Sequence, residues 1–157
     1  MKSINITDHL RSTLGWASWN LVNDLKALSE EDAANRPYPA ARSAIETLAH
    51  CAATDRDIAA LLRADSAAHP PPEERTAFLA AVATRDQVLE TFEAAAQDLE
   101  AAINGVGEGR WGEAMDGPFG PSTFLATATL AALHTMYHDG QLNHVHVMNG
   151  DNDMHWF

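Results

Sequence analysis

The stretch His134–Leu142, with the sequence HTMYHDGQL, contains two histidines four positions apart, His134 and His138. Side chains at positions i and i+4 lie on one face of a helix, so both imidazoles can reach one metal ion. Gln141 follows seven positions after His134 and extends the same face by a further turn. The stretch therefore predicts a helix with metal-binding side chains along one side.

This helix is expected to begin at Pro121-Ser122 and to end at the cap Asn149-Gly150. Three further helices are predicted upstream, because apolar residues recur there at steps of three and four. The apolar stripes are Ile6, Leu10, Leu14, Ala17, Leu21, Leu25 and Leu28 in the first, Ile45, Leu48, Ala49, Ala52, Ile58 and Leu62 in the second, and Leu89, Phe92, Ala96, Leu99 and Ile103 in the third.

Capping patterns predict where these helices start. Ser43 with Glu46 three residues later is expected to begin the second helix, and Thr84–Gln87 resembles the same capping box before the third. Ser29–Asp32 predicts a short helical turn between the first and second helices. Pro70–Pro72 is expected to break the chain. No segment shows the alternation that predicts a strand.

Four amphipathic helices in a chain of 157 residues predict an all-α fold, a four-helix bundle that forms a single domain over residues 1–157. The connections are long enough to cross an end of the bundle, so a simple up-down-up-down order is not forced. The long connection from Gly105 to Pro121 is expected to help shape a substrate site with Trp111, Met115 and Phe119.

A metal site on the last helix needs a third ligand from elsewhere, and two known motifs do not supply it. A zinc protease helix needs Glu directly after its first His, where this chain has Thr135. Di-iron bundles need Glu-x-x-His, but Glu46 precedes His50 by four residues. His50 lies in a small, apolar stretch of the second helix and is the best candidate for the third ligand.

The sequence resembles the DinB-like (DinB/YfiT) superfamily of metal-dependent four-helix bundles over nearly the whole chain. The resemblance rests on Ser43–His50 (SAIETLAH) in the second helix and on His134–Leu142 in the fourth. It implies an up-down-down-up bundle with long crossover connections, in which His50, His134 and His138 hold one divalent ion, with zinc or nickel the frequent choices. It also implies a homodimer that acts on a small-molecule substrate.

The resemblance leaves the reaction open, because characterised members include transferases that use a low-molecular-weight thiol and an isomerase of maleylpyruvate. The first hypothesis is a metal-dependent enzyme of the thiol-dependent S-transferase or hydrolase type. The second is a non-catalytic metal-binding or stress-response bundle, and the third is a metal-free bundle with packed histidines. No general base is evident, although Gln141 could orient a water molecule or substrate.

Ten Lys and Arg against 22 Asp and Glu give a formal net charge of −12. This balance argues against nucleic acid and against an anionic membrane surface as partners. The N-terminus lacks the apolar core of a signal peptide, so we expect a cytoplasmic protein. Cys51 is the only cysteine, which excludes an intrachain disulfide.

No Lys or Arg follows Arg110, and Asp139 comes directly after a predicted ligand. This acidic setting is expected to favour a cation or to hold a ligating imidazole in one tautomer. It also weakens the case for an anionic thiol partner.

Several other residues have simpler interpretations. Trp16 and Trp19 are expected in the core, with the wall of a pocket over the metal as the alternative. Asp57, two turns after His50, is expected on a helix surface, with a contact behind that predicted ligand as the alternative. His9 is expected on the surface. His144 and His146 are expected to be a solvated pair or a pair at the edge of the core. Trp156 and Phe157 are expected to dock on the bundle or on a partner subunit.

Overall fold

The computed structural model describes residues 5–64 and 71–156, and these form an all-α protein. Four of its six helices are long, and the other two lie in the connections. In chain order the helices are α1 (Ile6–Ala27), α2 (Glu30–Ala34), α3 (Ala44–Arg63), α4 (Pro72–Ala80), α5 (Arg85–Gly105) and α6 (Phe124–Met148).

The helices begin where capping side chains replace the missing backbone partners. Ser43 accepts a hydrogen bond from the backbone N–H of Glu46, whose carboxylate accepts one from the N–H of Ser43. Thr84 and Gln87 form the same reciprocal pair at the start of α5. Ser29 caps α2 through its hydroxyl. These three predicted starts are confirmed, because a capping box is a local property of the sequence.

The predicted start of the last helix is wrong. Pro121 and Ser122 lie in a strand, β2 (Gly120–Thr123), which pairs in antiparallel register with β1 (Ala114–Gly117). Thr123 then caps α6 with its side chain. The hairpin was missed because each strand has only four residues, too few to show an alternating pattern.

The helix α4 is not predicted by the sequence pattern either, because Pro70–Pro72 indicates a break in the chain. Pro70 lies outside the described residues, and Pro72 is the first residue of α4. Proline is tolerated there, since the first N–H groups of a helix have no partner within the helix.

Two apolar clusters define the direction of each long helix. One joins the N-terminal halves of α1 and α6 to the C-terminal halves of α3 and α5, and includes Leu10, Leu14, Ile58, Leu62, Leu99, Ile103, Phe124 and Ala128. The other joins the opposite ends, and includes Leu21, Leu25, Ile45, Leu48, Val88, Phe92 and Leu142. The long helices therefore run up, down, down and up, and the connection from α3 to α5 spans the length of the bundle.

The tryptophans of α1 are not in the core. The exposed fractions of Trp16 and Trp19 are 52% and 59%. Both contact Trp156, which packs edge-on against Trp16 and accepts a hydrogen bond from Trp19 through its carbonyl. The predicted docking of Trp156 is thus seen, while Phe157 lies outside the described residues. Within residues 5–64 and 71–156, no helix combines the length and apolar character needed to cross a membrane.

Candidate metal centre

The structure brings the three predicted ligands together. His50 lies mid-way along α3, and His134 and His138 lie one turn apart on α6. The Nε2 atom of His134 is 3.2 Å from Nε2 of His50 and 3.2 Å from Nε2 of His138. Nitrogen ligands around a tetrahedral zinc ion lie about 3.3 Å apart, given bonds of about 2.0–2.1 Å. This histidine triad could therefore hold a metal ion.

His138 is buried and the other two histidines of the triad are half-buried, and this environment keeps the imidazoles neutral. Burial lowers the pKa of His50 to about 3 and that of His134 to about 4, and nearby Arg42 and the neighbouring histidines add to the effect. Burial also lowers the pKa of His138. Metal ligation requires neutral imidazole, so the donor set suits a divalent ion at neutral pH.

Gln141 orients one of the three histidines. Its Oε1 atom lies 2.7 Å from Nδ1 of His138, and an amide oxygen can only accept a hydrogen bond. The proton of His138 is therefore on Nδ1, and the lone pair on Nε2 faces the other two histidines. The predicted role of Gln141 in orienting a water molecule or substrate stays a prediction.

Arg75 lies on α4, a helix that the sequence pattern does not predict, and it contacts one of the three histidines, His50. Its Nη2 atom lies 3.1 Å from Nδ1 of His50 and donates to Thr54 at 3.0 Å. Asp57 forms an ion pair with Arg75, so it is not the simple surface charge that was expected. A guanidinium group has no acceptor, so Nδ1 of His50 accepts this bond and the proton lies on Nε2.

This proton position matters for ion binding. Ligation through Nε2 of His50 needs a lone pair on that atom and a proton on Nδ1. Arg75 cannot accept a hydrogen bond from that N–H, because a guanidinium group has only donors. The Arg75–His50 hydrogen bond and metal ligation by Nε2 therefore exclude each other.

Asp139 does not act on the triad as expected. It is fully buried, and its carboxyl group interacts with Asp24 of α1 instead of a ligand imidazole. Burial and then Asp24 raise the pKa of Asp139 to about 8. The acidic side chain that follows His138 in sequence is thus turned towards another helix.

A cavity of about 590 Å³ is lined by the loop before α3, the start of α3 and the C-terminal half of α6, and the three histidines are not among its lining residues. Arg42, Thr47, Gln141 and His144 supply polar groups to its wall, and Gln141 connects it to His138. The loop residues expected to shape the substrate site are absent from this wall. Trp111 and Met115 pack in the apolar cluster at the other end of the bundle, and Phe119 is 91% exposed.

Residues 16–142 match the profile of the DinB superfamily. The chain belongs to this superfamily. A crystal structure described as the conserved protein of a locus from Enterococcus faecalis shares the fold of this DinB-superfamily protein, with a TM-score of 0.72 and 19% sequence identity. The match covers 95% of this chain and 100% of the other. No curated protein matches the sequence.

Proposed function

We propose that this DinB-superfamily protein is a divalent-metal-dependent enzyme of the thiol-dependent S-transferase or hydrolase type, with His50, His134 and His138 as its metal ligands. The observation that carries the proposal is the convergence of three Nε2 atoms from two different helices, with that of His134 lying 3.2 Å from each of the other two. Neutral nitrogens packed this closely repel one another unless a proton or a cation lies between them.

Imidazole ligands suit zinc and nickel, among other ions. A divalent ion held by three neutral imidazoles supplies Lewis acidity, which lowers the pKa of a thiol or a water molecule. The protein's own contribution is to hold the ligands. Gln141 fixes the tautomer of His138, and packing in the bundle keeps the ligand face of α6 against α3.

The cavity that Gln141 connects to His138 is the proposed place for a small-molecule substrate. Arg42 is the charged side chain of its wall. A guanidinium group pairs well with a carboxylate, so a thiol that carries carboxylates suits this position. Because Asp139 interacts with Asp24, it does not oppose an anionic ligand in the cavity.

A non-catalytic metal-binding role is the second candidate. The contact between Arg75 and His50 favours it, because a site that must break an internal hydrogen bond to bind an ion suits reversible uptake.

The test measures metal content and thiol chemistry on untagged protein. We expect one zinc or nickel ion per chain in the wild type and loss of that ion in His138→Ala, with His9→Ala, which changes an exposed histidine, as the matched control. Thiol consumption with an electrophile is then followed with bacillithiol, mycothiol and glutathione in turn, beside hydrolysis of an activated ester. Metal-dependent turnover of either kind supports the enzyme, whereas bound metal without turnover supports the second candidate. A wild type without metal, with unchanged stability in His138→Ala, overturns both.

A further inference from the structure

The chain reverses direction at the end of α6 and brings a second group of ligand atoms together. Gly150 has a φ of +84°, in the left-handed region that favours glycine. The N–H of Gly150 donates to the carbonyl of Val147, and the N–H of Asp151 donates to that of His146. This pair of bonds is a Schellman motif, and it places Asp151 beside the last turn of α6.

The C-terminal tail (residues 149–156) completes this group. Oδ2 of Asp151 lies 3.3 Å from Nδ1 of His146 and 2.9 Å from Nε2 of His155. Oδ1 of Asp151 is used differently, since it accepts a hydrogen bond from the N–H of Asp153. These three residues, His146, Asp151 and His155, are here called the tail cluster. They bring two nitrogens and one oxygen within 4.8 Å of one another.

The contact that His146 makes with α1 shows which of its ring nitrogens carries a proton. Nε2 of His146 lies 2.8 Å from the backbone carbonyl of Asp24, one of the last four carbonyls of α1. A carbonyl can only accept, so Nε2 carries a proton, and a neutral His146 presents a lone pair on Nδ1. That lone pair faces a carboxylate oxygen, which is also only an acceptor. The contact therefore requires a positive charge, either a proton on Nδ1 or a cation shared by the three ligand atoms.

We propose that the tail cluster is a second divalent-metal site, separate from the histidine triad. Two imidazole nitrogens and one carboxylate oxygen are a ligand set that zinc and related ions accept. The C-terminal end of a helix favours a cation, and the tail adds Asp151 and Asp153 but no Lys or Arg. His146 is buried while Asp151 and His155 are half-buried, which leaves one side open for an exchangeable ligand.

An ion bound by the tail cluster would hold the C-terminal tail against the bundle. Trp156 follows His155 directly, and its indole N–H donates to Asp24 at 3.3 Å. Its ring packs edge-on against Trp16, with ring centroids 5.7 Å apart. An ion that joins His146 on α6 to His155 in the tail therefore holds this aromatic contact in place. The proposal does not depend on the function proposed for the triad.

The test uses the full, untagged chain in which His134→Ala and His138→Ala together remove the triad. After incubation with zinc and dialysis, elemental analysis is expected to find one zinc ion per chain in this double variant. Adding His155→Gln should abolish this binding, because glutamine can still donate a hydrogen bond to Asp151 but lacks the imidazole ligand. Adding His9→Ala instead should leave the zinc in place.

A second readout follows the tail itself. Zinc should slow amide hydrogen exchange in residues 151–156 of the double variant and should have no such effect once His155→Gln is added. The proposal is overturned if the double variant retains no zinc, or if His155→Gln leaves binding unchanged. In the first case, ring nitrogen chemical shifts of His146 at neutral pH should show an imidazolium, which identifies the proton as the positive charge.

Discussion

At the scale of single residues, Arg75 controls whether His50 can serve as a ligand. Its hydrogen bond to Nδ1 holds the proton of His50 on Nε2, and its positive charge opposes a divalent ion. Replacing Arg75 with Gln removes both effects, and the new amide oxygen can accept a hydrogen bond from the N–H at Nδ1. We expect Arg75→Gln to bind zinc more tightly, by about tenfold, which corresponds to about 1.4 kcal/mol.

A chelator competition titration measures this change in zinc affinity. Arg11→Gln is the matched control, because Arg11 pairs with Glu100 on the outside of the bundle. Weaker zinc binding in Arg75→Gln than in Arg11→Gln would show that Arg75 supports the site instead of competing with the ion.

The contrast between the triad and Arg75 shows which site residues a sequence can reveal. His134 and His138 are recognisable because four residues along a helix bring them to one face. Arg75 is 25 positions from His50. Its contact depends on α4, whose path over α3 no local pattern encodes.

At the scale of elements, the start of α3 positions both the triad and the cavity. Ser43 is buried and caps this helix, Arg42 precedes it on the cavity wall, and His50 follows two turns later. We expect Ser43→Ala to lower the free energy of unfolding by about 1 kcal/mol, the usual loss when an N-cap side chain is removed. Urea denaturation of metal-free protein checks this value, with Ser12→Ala on the exposed face of α1 as the control. An equal effect of the two substitutions would contradict the capping role.

Elements were predictable where a local signal marks them. The capping boxes at Ser43 and Thr84 are such signals, and both are confirmed. The hairpin Ala114–Thr123 has a different origin, because its strands pair only with each other and its turn relies on Gly117 and Gly120. A Cβ atom at Gly117 would lie 2.7 Å from Cβ of Ser122, and Gly120 has a φ of +112°. These constraints are visible only once the strands are paired.

At the scale of the whole molecule, the fold brings charged residues that are far apart in the sequence close to the histidines of α6. The last 47 residues contain no Lys or Arg, which indicated an acidic site. In the fold, Arg42 from the start of α3 and Arg75 from α4 lie near the histidines of α6, and both lower the pKa of His134. The charges near the site therefore depend on how the helices are arranged. The number of charged residues along the last part of the chain does not predict them.

The interior of the bundle also contains a carboxyl group that limits its stability. Asp55 of α3 is fully buried, and neither of its oxygens has a hydrogen-bond partner among the described residues. Burial raises the pKa of Asp55 from an ordinary value of 3.8 to about 8. The folded protein therefore keeps a proton that the unfolded chain releases above about pH 4.

The sign of the resulting pH dependence follows from this difference. Below about pH 4 both states are protonated, and between that pH and about 8 each unit of rising pH lowers the free energy of unfolding by up to about 1.4 kcal/mol. Asp55→Asn removes the titration, so its stability advantage over the wild type should grow from pH 5 to pH 8 in urea denaturation. The difference between the two proteins isolates Asp55, since they share all their other ionisable groups, and Glu93→Gln on the exposed face of α5 serves as the control. A constant difference across this range would mean that Asp55 is ionised in the folded bundle and has a compensating partner.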